Sequence, residues 1–371
     1  MRLSKQKFHI AIRLFVILIS FFLILLLTYR LYIVIKFVKK DTKFILYWIQ
    51  MWNSKTFGFG ADKYDLFKNC KYKNCFATHD RRLIPLNKFD AIVFHGAEYD
   101  VVSYKRPSIR HSHQRYIFAN MESPKGSCPV NLDLYASFYN WTMTYRKDSD
   151  IFFPYGYVIK NKTGYVMPSV ESIKNRTLMA AWSVSNCYTP NRREILFHNL
   201  HLYLDIDVYG ACGSCKCSED KDIYNNYIVK HYKFYLAFEN SHCKDYVTEK
   251  LYMALERDIV PIVYGDVDYD TVAPPHSVIA VDRFGSVKDL VDYILFLDKN
   301  ITEYLKYFEW KKNYSIDRNK QRTACKLCEM LNDPSQPRKV YKNIDNWWFG
   351  ENYNYCKDVN ELSNLTRIWP Y

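Results

Sequence analysis

Lys233-Phe-Tyr-Leu-Ala-Phe238, the stretch from Thr248 to Arg257 and Ile259-Val-Pro-Ile-Val-Tyr264 read as strand, helix and strand, with a polar loop between the first two. Leu251, Ala254 and Leu255 share one face at helical spacing, so the helix has an apolar stripe that can dock on a sheet. A strand that returns through a helix is one turn of a parallel sheet. The same unit stands upstream as Thr177-Leu-Met-Ala-Ala-Trp182, a helical stretch from Arg192 to Leu202, and Leu204-Asp-Ile-Asp-Val-Tyr209 before Gly210. An earlier series of short strands ends in polar loops: Phe89-Asp-Ala-Ile-Val-Phe94, Arg115-Tyr-Ile-Phe-Ala119 and Trp141-Thr-Met-Thr-Tyr145. The expected fold is therefore α/β, with two lobes meeting near residues 160–176 and ligands at the strand ends. A chain of 371 residues, 49% of them apolar, can bury two such cores.

A formal charge of +13 invites a nucleic-acid reading, but its distribution argues otherwise. Residues 1–43 hold nine basic side chains against Asp41, which places +8 there and leaves +5 on the remaining 328 residues. A mildly basic body suits an anionic small substrate better than a duplex. Leu14 to Tyr29 carries no charge, and Leu31 to Ile35 prolongs the apolar run, so about 20 residues can cross a bilayer. The run is long for a signal-peptide core and ends without a small-residue cleavage pattern. Basic residues flank both sides and leave the orientation open.

Sequons at Asn140, Asn161, Asn175, Asn300, Asn313 and Asn364 can be glycosylated only in a lumenal body. All eleven cysteines follow the apolar run, as expected for a disulfide-bearing lumenal domain. The expected order is a cytosolic tail at 1–13, a transmembrane anchor at 14–35 and a stem at 36–63. A first lobe at 64–170, a second at 171–331 and a C-terminal extension at 332–371 complete it.

Chemistry concentrates in Phe238-Glu-Asn-Ser241 and His242-Cys-Lys-Asp-Tyr-Val-Thr-Glu-Lys250, where a strand passes into a helix. Backbone N–H groups and the positive end of the helix favour a diphosphate there, and Lys250 in the first turn adds a full charge. On these features alone, a capped helix with a solvated lysine is an equal reading.

Phe-Glu-Asn-Ser followed by Asp-Tyr-Val-Thr-Glu-Lys closely resembles the donor-site signature of α1,3-fucosyltransferases. The resemblance extends over roughly residues 88–350, through Met121-Glu-Ser-Pro124, Tyr145-Arg-Lys-Asp-Ser-Asp-Ile151, Pro154-Tyr-Gly156, Trp182-Ser-Val-Ser-Asn186 and Cys325-Lys-Leu-Cys328. It implies two Rossmann-like lobes in the GT-B arrangement facing a cleft. It also implies transfer of fucose from GDP-fucose, with inversion, to a GlcNAc hydroxyl of a glycoprotein or glycolipid. It implies as well that no metal is required in the donor site and that no cofactor is bound covalently. A single-pass, type II Golgi membrane protein with a lumenal catalytic body follows from the same resemblance.

Glu122 is then the general base. Ser185, Asn186, Arg193, Tyr209, Asn240, Tyr246, Glu249 and Lys250 match donor-pocket positions. Arg193 and Lys250 would meet the charge that develops on GDP. Neighbouring Arg192 leaves the arginine register open by one, Tyr209 also reads as packing, and Glu239 is the substitute base if Glu122 is not the one. The family match is what lifts Glu122 above a solvated loop glutamate.

Asp148/Asp150, Asp205/Asp207 and Asp266/Asp268 imitate a metal-binding Asp-x-Asp motif, but their contexts, a family segment, a strand and a loop, do not support it. Cys325-x-x-Cys328 reads as a structural disulfide element rather than a redox pair. Cys212, Cys215 and Cys217 are closely spaced without a histidine pair. A lumenal carbohydrate-binding protein that kept this fold without turnover is the alternative function, against which Glu122, Arg193 and Lys250 weigh. After Phe94-His95 the chain reads Gly96-Ala97-Glu98, where vertebrate Lewis-type relatives carry a further histidine and a bulky residue. Acceptor choice therefore stays open between N-glycan core and antennal GlcNAc.

Overall fold

The computed structural model describes residues 13–25, 28, 41–62, 64–99, 104–126, 132–160, 165–213 and 227–357. Strands β1 (Lys43–Tyr47), β2 (Cys75–Thr78), β3 (Ala91–His95), β4 (Arg115–Asn120), β5 (Trp141–Thr144) and β6 (Ile151–Phe152) form a parallel sheet in the order β2-β1-β3-β4-β5-β6. Period-two alternation sends Phe44, Leu46, Ile92, Phe94, Tyr116 and Phe118 to one face. Ile45, Tyr47, Val93, Ile117, Ala119 and Met143 go to the other. Both faces are covered, which is why these strands read as nearly continuous apolar runs.

A short antiparallel ribbon joins β7 (Tyr157–Lys160) to β13 (Tyr314–Asp317). The second sheet contains β8 (Leu178–Ser183), β9 (Ile206–Tyr209), β10 (Tyr232–Phe238), β11 (Val260–Tyr264) and β12 (Ile279–Ala280), all parallel, in the order β12-β11-β10-β8-β9. Helix α1 (Arg193–His201) leads from β8 towards β9, and α2 (Glu249–Glu256) joins β10 to β11. Leu251, Ala254 and Leu255 are buried, so the stripe read from their spacing does dock.

Residues 36–63 were expected to be a stem, and here the structure differs. β1 lies inside the first sheet, between β2 and β3, with Phe44, Ile45, Leu46 and Tyr47 all buried. Its apolar run follows the expected anchor so closely that periodicity alone does not separate the two. Four buried side chains at about 2 kcal/mol each rival the whole stability of an ordinary domain. A secreted form starting at residue 41 is therefore expected to fold, and one starting at residue 64 is not. Soluble yield and a cooperative thermal transition are the measurements, and equal behaviour of the two forms would refute the assignment.

Two further segments belong with the first sheet. Helix α3 (Gln321–Asn332), expected within the second lobe, packs on the first through Ala324, Leu327 and Met330. Disulfides Cys70–Cys325 and Cys75–Cys328 fix it there, so the two cysteines of the Cys-x-x-Cys stretch each reach a distant partner. Helix α4 (Ile344–Phe349), in the C-terminal extension, lays Trp348 against Phe118 and Tyr145. Cys187–Cys212 and Cys243–Cys356 are also bonded, which takes Cys212 out of any cysteine cluster; Cys128, Cys215 and Cys217 lie outside the described residues.

Among the described residues no helix is long and apolar enough to cross a membrane. The helical stretch 13–25 covers the start of the expected span, while 26–27 and 29–35 lie outside the described residues. Of the sequons, Asn161 and Asn364 also lie outside them. Asn140 is buried, its Oδ1 accepting from Arg110 and the Tyr116 N–H and its amide donating to the Lys339 carbonyl, which is incompatible with a glycan. Asn175 and Asn313 are exposed.

Candidate active site

In each sheet the chain reverses its direction of strand addition once, and crevices open at such switch points beyond the carboxyl ends of the strands. In the second sheet the switch lies between β8 and β10. Arg193 spans it: one Nη donates to the Phe238 carbonyl at 2.7 Å and the other to the Asn186 carbonyl at 3.1 Å. Its side chain is buried, whereas Arg192 is exposed at the head of α1 with a left-handed φ of 51°. Burial pulls the Arg193 pKa down, with Glu239 opposing, although a guanidinium keeps its charge at any working pH. Ser185 and Asn186 stand exposed at the end of β8. Gly210 follows β9 at φ +90°, where a Cβ would approach the Val184 carbonyl to 2.6 Å, so only glycine lets the two loops meet beside Cys187–Cys212.

The loop after β10 is organised by Glu239, which is 1% exposed. Its Oε1 accepts from the Thr248 N–H at 2.8 Å and its Oε2 from the Thr248 hydroxyl at 2.8 Å. Thr248 is also the N-cap of α2. Lys250 Nζ lies 3.4 Å from Glu239 Oε2, 2.8 Å from Thr248 Oγ1 and 3.2 Å from Glu249 Oε1. Burial disfavours the Lys250 charge, but Glu239 and Glu249 outweigh it and hold its pKa above the ordinary value. Burial likewise opposes ionisation of Glu249, and Lys250 overcomes it to hold that pKa low. A fixed cation thus stands at the N-terminus of α2. Glu239 itself, with both oxygens engaged and its pKa raised by burial, is a clamp for this turn and is poorly placed to act as a base.

Glu122 comes from the first sheet, two residues beyond β4, where the Asn120 side chain holds its N–H at 2.9 Å. The Tyr246 hydroxyl donates to Glu122 Oε2 at 3.1 Å, and the Ser123 hydroxyl donates to Ser241 at 2.8 Å. The loop after β4 and the loop after β10 therefore meet at two points. Burial raises the Glu122 pKa, while the Tyr246 hydrogen bond and the Lys250 charge pull it back.

Glu122, Tyr246, Glu249 and Lys250 are thus brought together, with Arg193 reaching the same strand end through Phe238. Tyr209 is placed elsewhere, packed with Ala181, Ile228 and Ala254 and sharing a 2.6 Å hydrogen bond with Tyr232. Two buried polar atoms at the switch point, Arg193 Nε and Asn240 Oδ1, find no partner among the described residues, which marks unused hydrogen-bonding capacity. Sequence reasoning missed the structural work of Glu239 and the Ser123–Ser241 bridge. Thr248 before the helix was the available cap signal, but its link to a residue nine positions back was not.

Other matched motifs prove architectural. Arg146 lies between the Trp347 and Tyr355 rings and pairs with Asp148, while Asp150 accepts from Thr142. A Cβ on Gly156 would come within 2.5 Å of the Tyr252 ring on α2. In the first sheet the switch lies between β1 and β3, where a cavity of about 410 Å³ is lined by Tyr47, Trp48, Arg81 and Glu98. His95 Nδ1 lies 2.6 Å from Glu98 there.

Comparison with known proteins gives the family. Residues 40–156 match the N-terminal fucosyltransferase domain and residues 173–347 the C-terminal domain of glycosyltransferase family 10 (fucosyltransferase). Alpha-(1,3)-fucosyltransferase C of Drosophila melanogaster is 38% identical over 310 residues, covering 78% of this chain and 71% of its own. Glycoprotein 3-alpha-L-fucosyltransferase A of the same organism is 36% identical over 307 residues, covering 81% of this chain and 58% of its own. A crystal structure of an alpha1,3-fucosyltransferase with GDP shares the fold at a TM-score of 0.51 and 15% identity, covering 82% of this chain and 94% of that one. Both domains of the family are present in order, and the chain belongs to the glycosyltransferase family 10 fucosyltransferases.

Proposed function

We propose that the chain transfers L-fucose from GDP-fucose to a GlcNAc hydroxyl of a glycoprotein or glycolipid glycan, with inversion, in the cleft of a GT-B-like pair of lobes. The observation that carries this reading is the joining of a base from the first sheet, Glu122, to the cation-bearing turn of the second through Tyr246. The acceptor oxygen attacks the anomeric carbon from the face opposite GDP. As the C–O bond to the β-phosphate breaks, its electron pair leaves with GDP, whose charge is met by Lys250, Arg193 and the N-terminus of α2. The acceptor proton passes to Glu122 Oε1, since Oε2 is held by Tyr246. Ser185, Asn186, Asn240 and Glu249 complete the donor pocket.

Golgi placement with residues 14–35 as a type II anchor belongs to the same proposal. Four disulfides among the described residues support an oxidising lumen. The direct test is fucosyl transfer to a GlcNAc glycoside, inhibited by GDP and not by UDP; GDP-fucose turned over on no glycan would defeat the proposal.

A pH dependence follows from the geometry. Glu122 must be ionised to accept a proton, so kcat/KM falls as the pH drops through its raised pKa. A hydrogen bond donated to a carboxylate favours the charged form, so Tyr246→Phe removes a lowering influence. The acid limb of the kcat/KM profile is expected to move to higher pH in Tyr246→Phe. A limb that stays in place would separate Tyr246 from the base.

A further inference from the structure

Strands β1, β3, β4 and β5 begin at Lys43, Ala91, Arg115 and Trp141, so Lys43, Asp90, Arg115 and Asn140 mark the amino-terminal edge of the first sheet, opposite the edge that carries Glu122. Basic side chains gather there. Arg110 donates to Asn140 Oδ1 at 2.7 Å, and the Lys339 carbonyl accepts from the same Asn140 side chain, which brings Arg338 alongside. Burial and the nearby Arg338 charge both lower the Arg115 pKa. Guanidinium groups keep their charge, so like charges stand together at this edge. Asp90 and Asp150 do not offset them, being already paired with Lys43 at 3.1 Å and Lys339 at 2.5 Å. Ile109 and Val340, beside Arg110 and Lys339, are 61% and 46% exposed. Arginines interleaved with exposed apolar side chains suit a bilayer surface, where lipid phosphates take the charge and the acyl boundary takes the methyl groups.

The place where the chain enters this edge points to the same partner. Only the seven residues 36–42 separate the end of the proposed anchor from Lys43 at the start of β1. Fully extended, they reach about 25 Å. The edge that bears Lys43 is therefore tied close to the bilayer. The opposite pole of the molecule is marked as well. Contacts of Glu122 with Tyr246 and of Ser123 with Ser241 join the carboxyl ends of the two sheets, so their amino-terminal edges point apart. The exposed sequon Asn175 lies just ahead of β8, at the amino-terminal edge of the second sheet. Exposed Asn313 is close to that edge too, since Lys311 donates to the Arg257 carbonyl ahead of β11. Glycans on these two side chains would stand at the pole far from the membrane, where there is room for them.

We propose that the amino-terminal edge of the first sheet rests on the lumenal face of the bilayer, with Arg110, Arg115 and Arg338 on lipid phosphates and the cleft turned away from the membrane. This rests on the reading of residues 14–35 as a type II anchor. Glu122 then stands one strand length from the bilayer, about 20 Å for the six residues of β4. Acceptor glycans approach it from the lumen rather than along the membrane plane.

The test places the full chain in nanodiscs of phosphatidylcholine and phosphatidylserine and follows modification of each arginine by a water-soluble dicarbonyl reagent, read by peptide mass spectrometry. The same chain in neutral detergent is the reference. Arg338 is expected to react about fivefold or more slowly in nanodiscs, the factor for one arginine held at an anionic surface. Arg192, exposed at the carboxyl edge of the second sheet, should react alike in both. High salt should return part of the lost reactivity, because surface charges are screened. In the double variant Ile109→Ser, Arg338→Glu, Arg110 should lose its protection in nanodiscs while transfer to a soluble GlcNAc glycoside stays as in wild type. Equal reactivity of Arg338 in nanodiscs and detergent, or protection of Arg192 in its place, overturns the proposal. Flotation with lipid is scored separately. A chain that does not float defeats the anchor reading and the proposal together, whereas one that floats with Arg338 unprotected defeats the proposal alone.

Discussion

Glu122→Gln is expected to reduce turnover by about a hundredfold or more while GDP-fucose affinity stays intact, the usual scale for loss of a general base. Glutamine keeps the shape and can still accept from the Tyr246 hydroxyl, so the junction between the two loops survives. What disappears is the basic oxygen. In the proposed arrangement the donor is held by the second sheet, on the far side of that hydrogen bond, and its binding has no reason to change. GDP-fucose affinity and transfer rate on one folded preparation decide the matter, and turnover within a few-fold of wild type would remove Glu122 from the mechanism. The substitute base suggested by sequence, Glu239, is then a weak successor because both its oxygens are spent on Thr248.

Lys250→Ala should impair donor use by on the order of 2–4 kcal/mol of transition-state stabilisation, through loss of a preorganised cation beside the diphosphate. The structure adds a second consequence. Glu239 is buried with Lys250 as its countercharge, so removing the lysine strands a carboxylate and should lower stability by on the order of 3 kcal/mol. Pairing Lys250→Ala with Glu239→Gln separates the effects, because the double variant has no orphaned charge and should recover much of the stability without the donor use. Thermal midpoints and donor kinetics on the four proteins provide the check. Unchanged donor kinetics in Lys250→Ala would make the lysine a purely structural partner of Glu239.

Much of the local structure of the candidate site was legible because its motifs are local. The segment from Phe238 to Lys250 announces a strand end, a polar loop and a capped helix, and all three are found. The register of the arginine was not legible, since Arg192 and Arg193 are identical by type. Packing separates them, burying Arg193 against the β8 and β10 ends and leaving Arg192 outside. Tyr209 shows the opposite limit, a residue matched to the pocket by position that the fold uses to fill the space between β9 and the helix after β10.

By itself the sequence determined the alternation of strands and helices, from Ala91–His95 through Val260–Tyr264, because side-chain periodicity is a property of neighbours along the chain. It also determined the family, through motifs contiguous in the chain. Tertiary structure alone decided that β1 is an inner strand rather than stem and that α3 belongs to the first sheet. It alone decided that Cys70 and Cys75 reach Cys325 and Cys328, and that Glu239 clamps the turn carrying Lys250. Each of these joins residues that sequence spacing does not relate, and their energies come from burial and charge pairing that exist only once the two sheets have assembled.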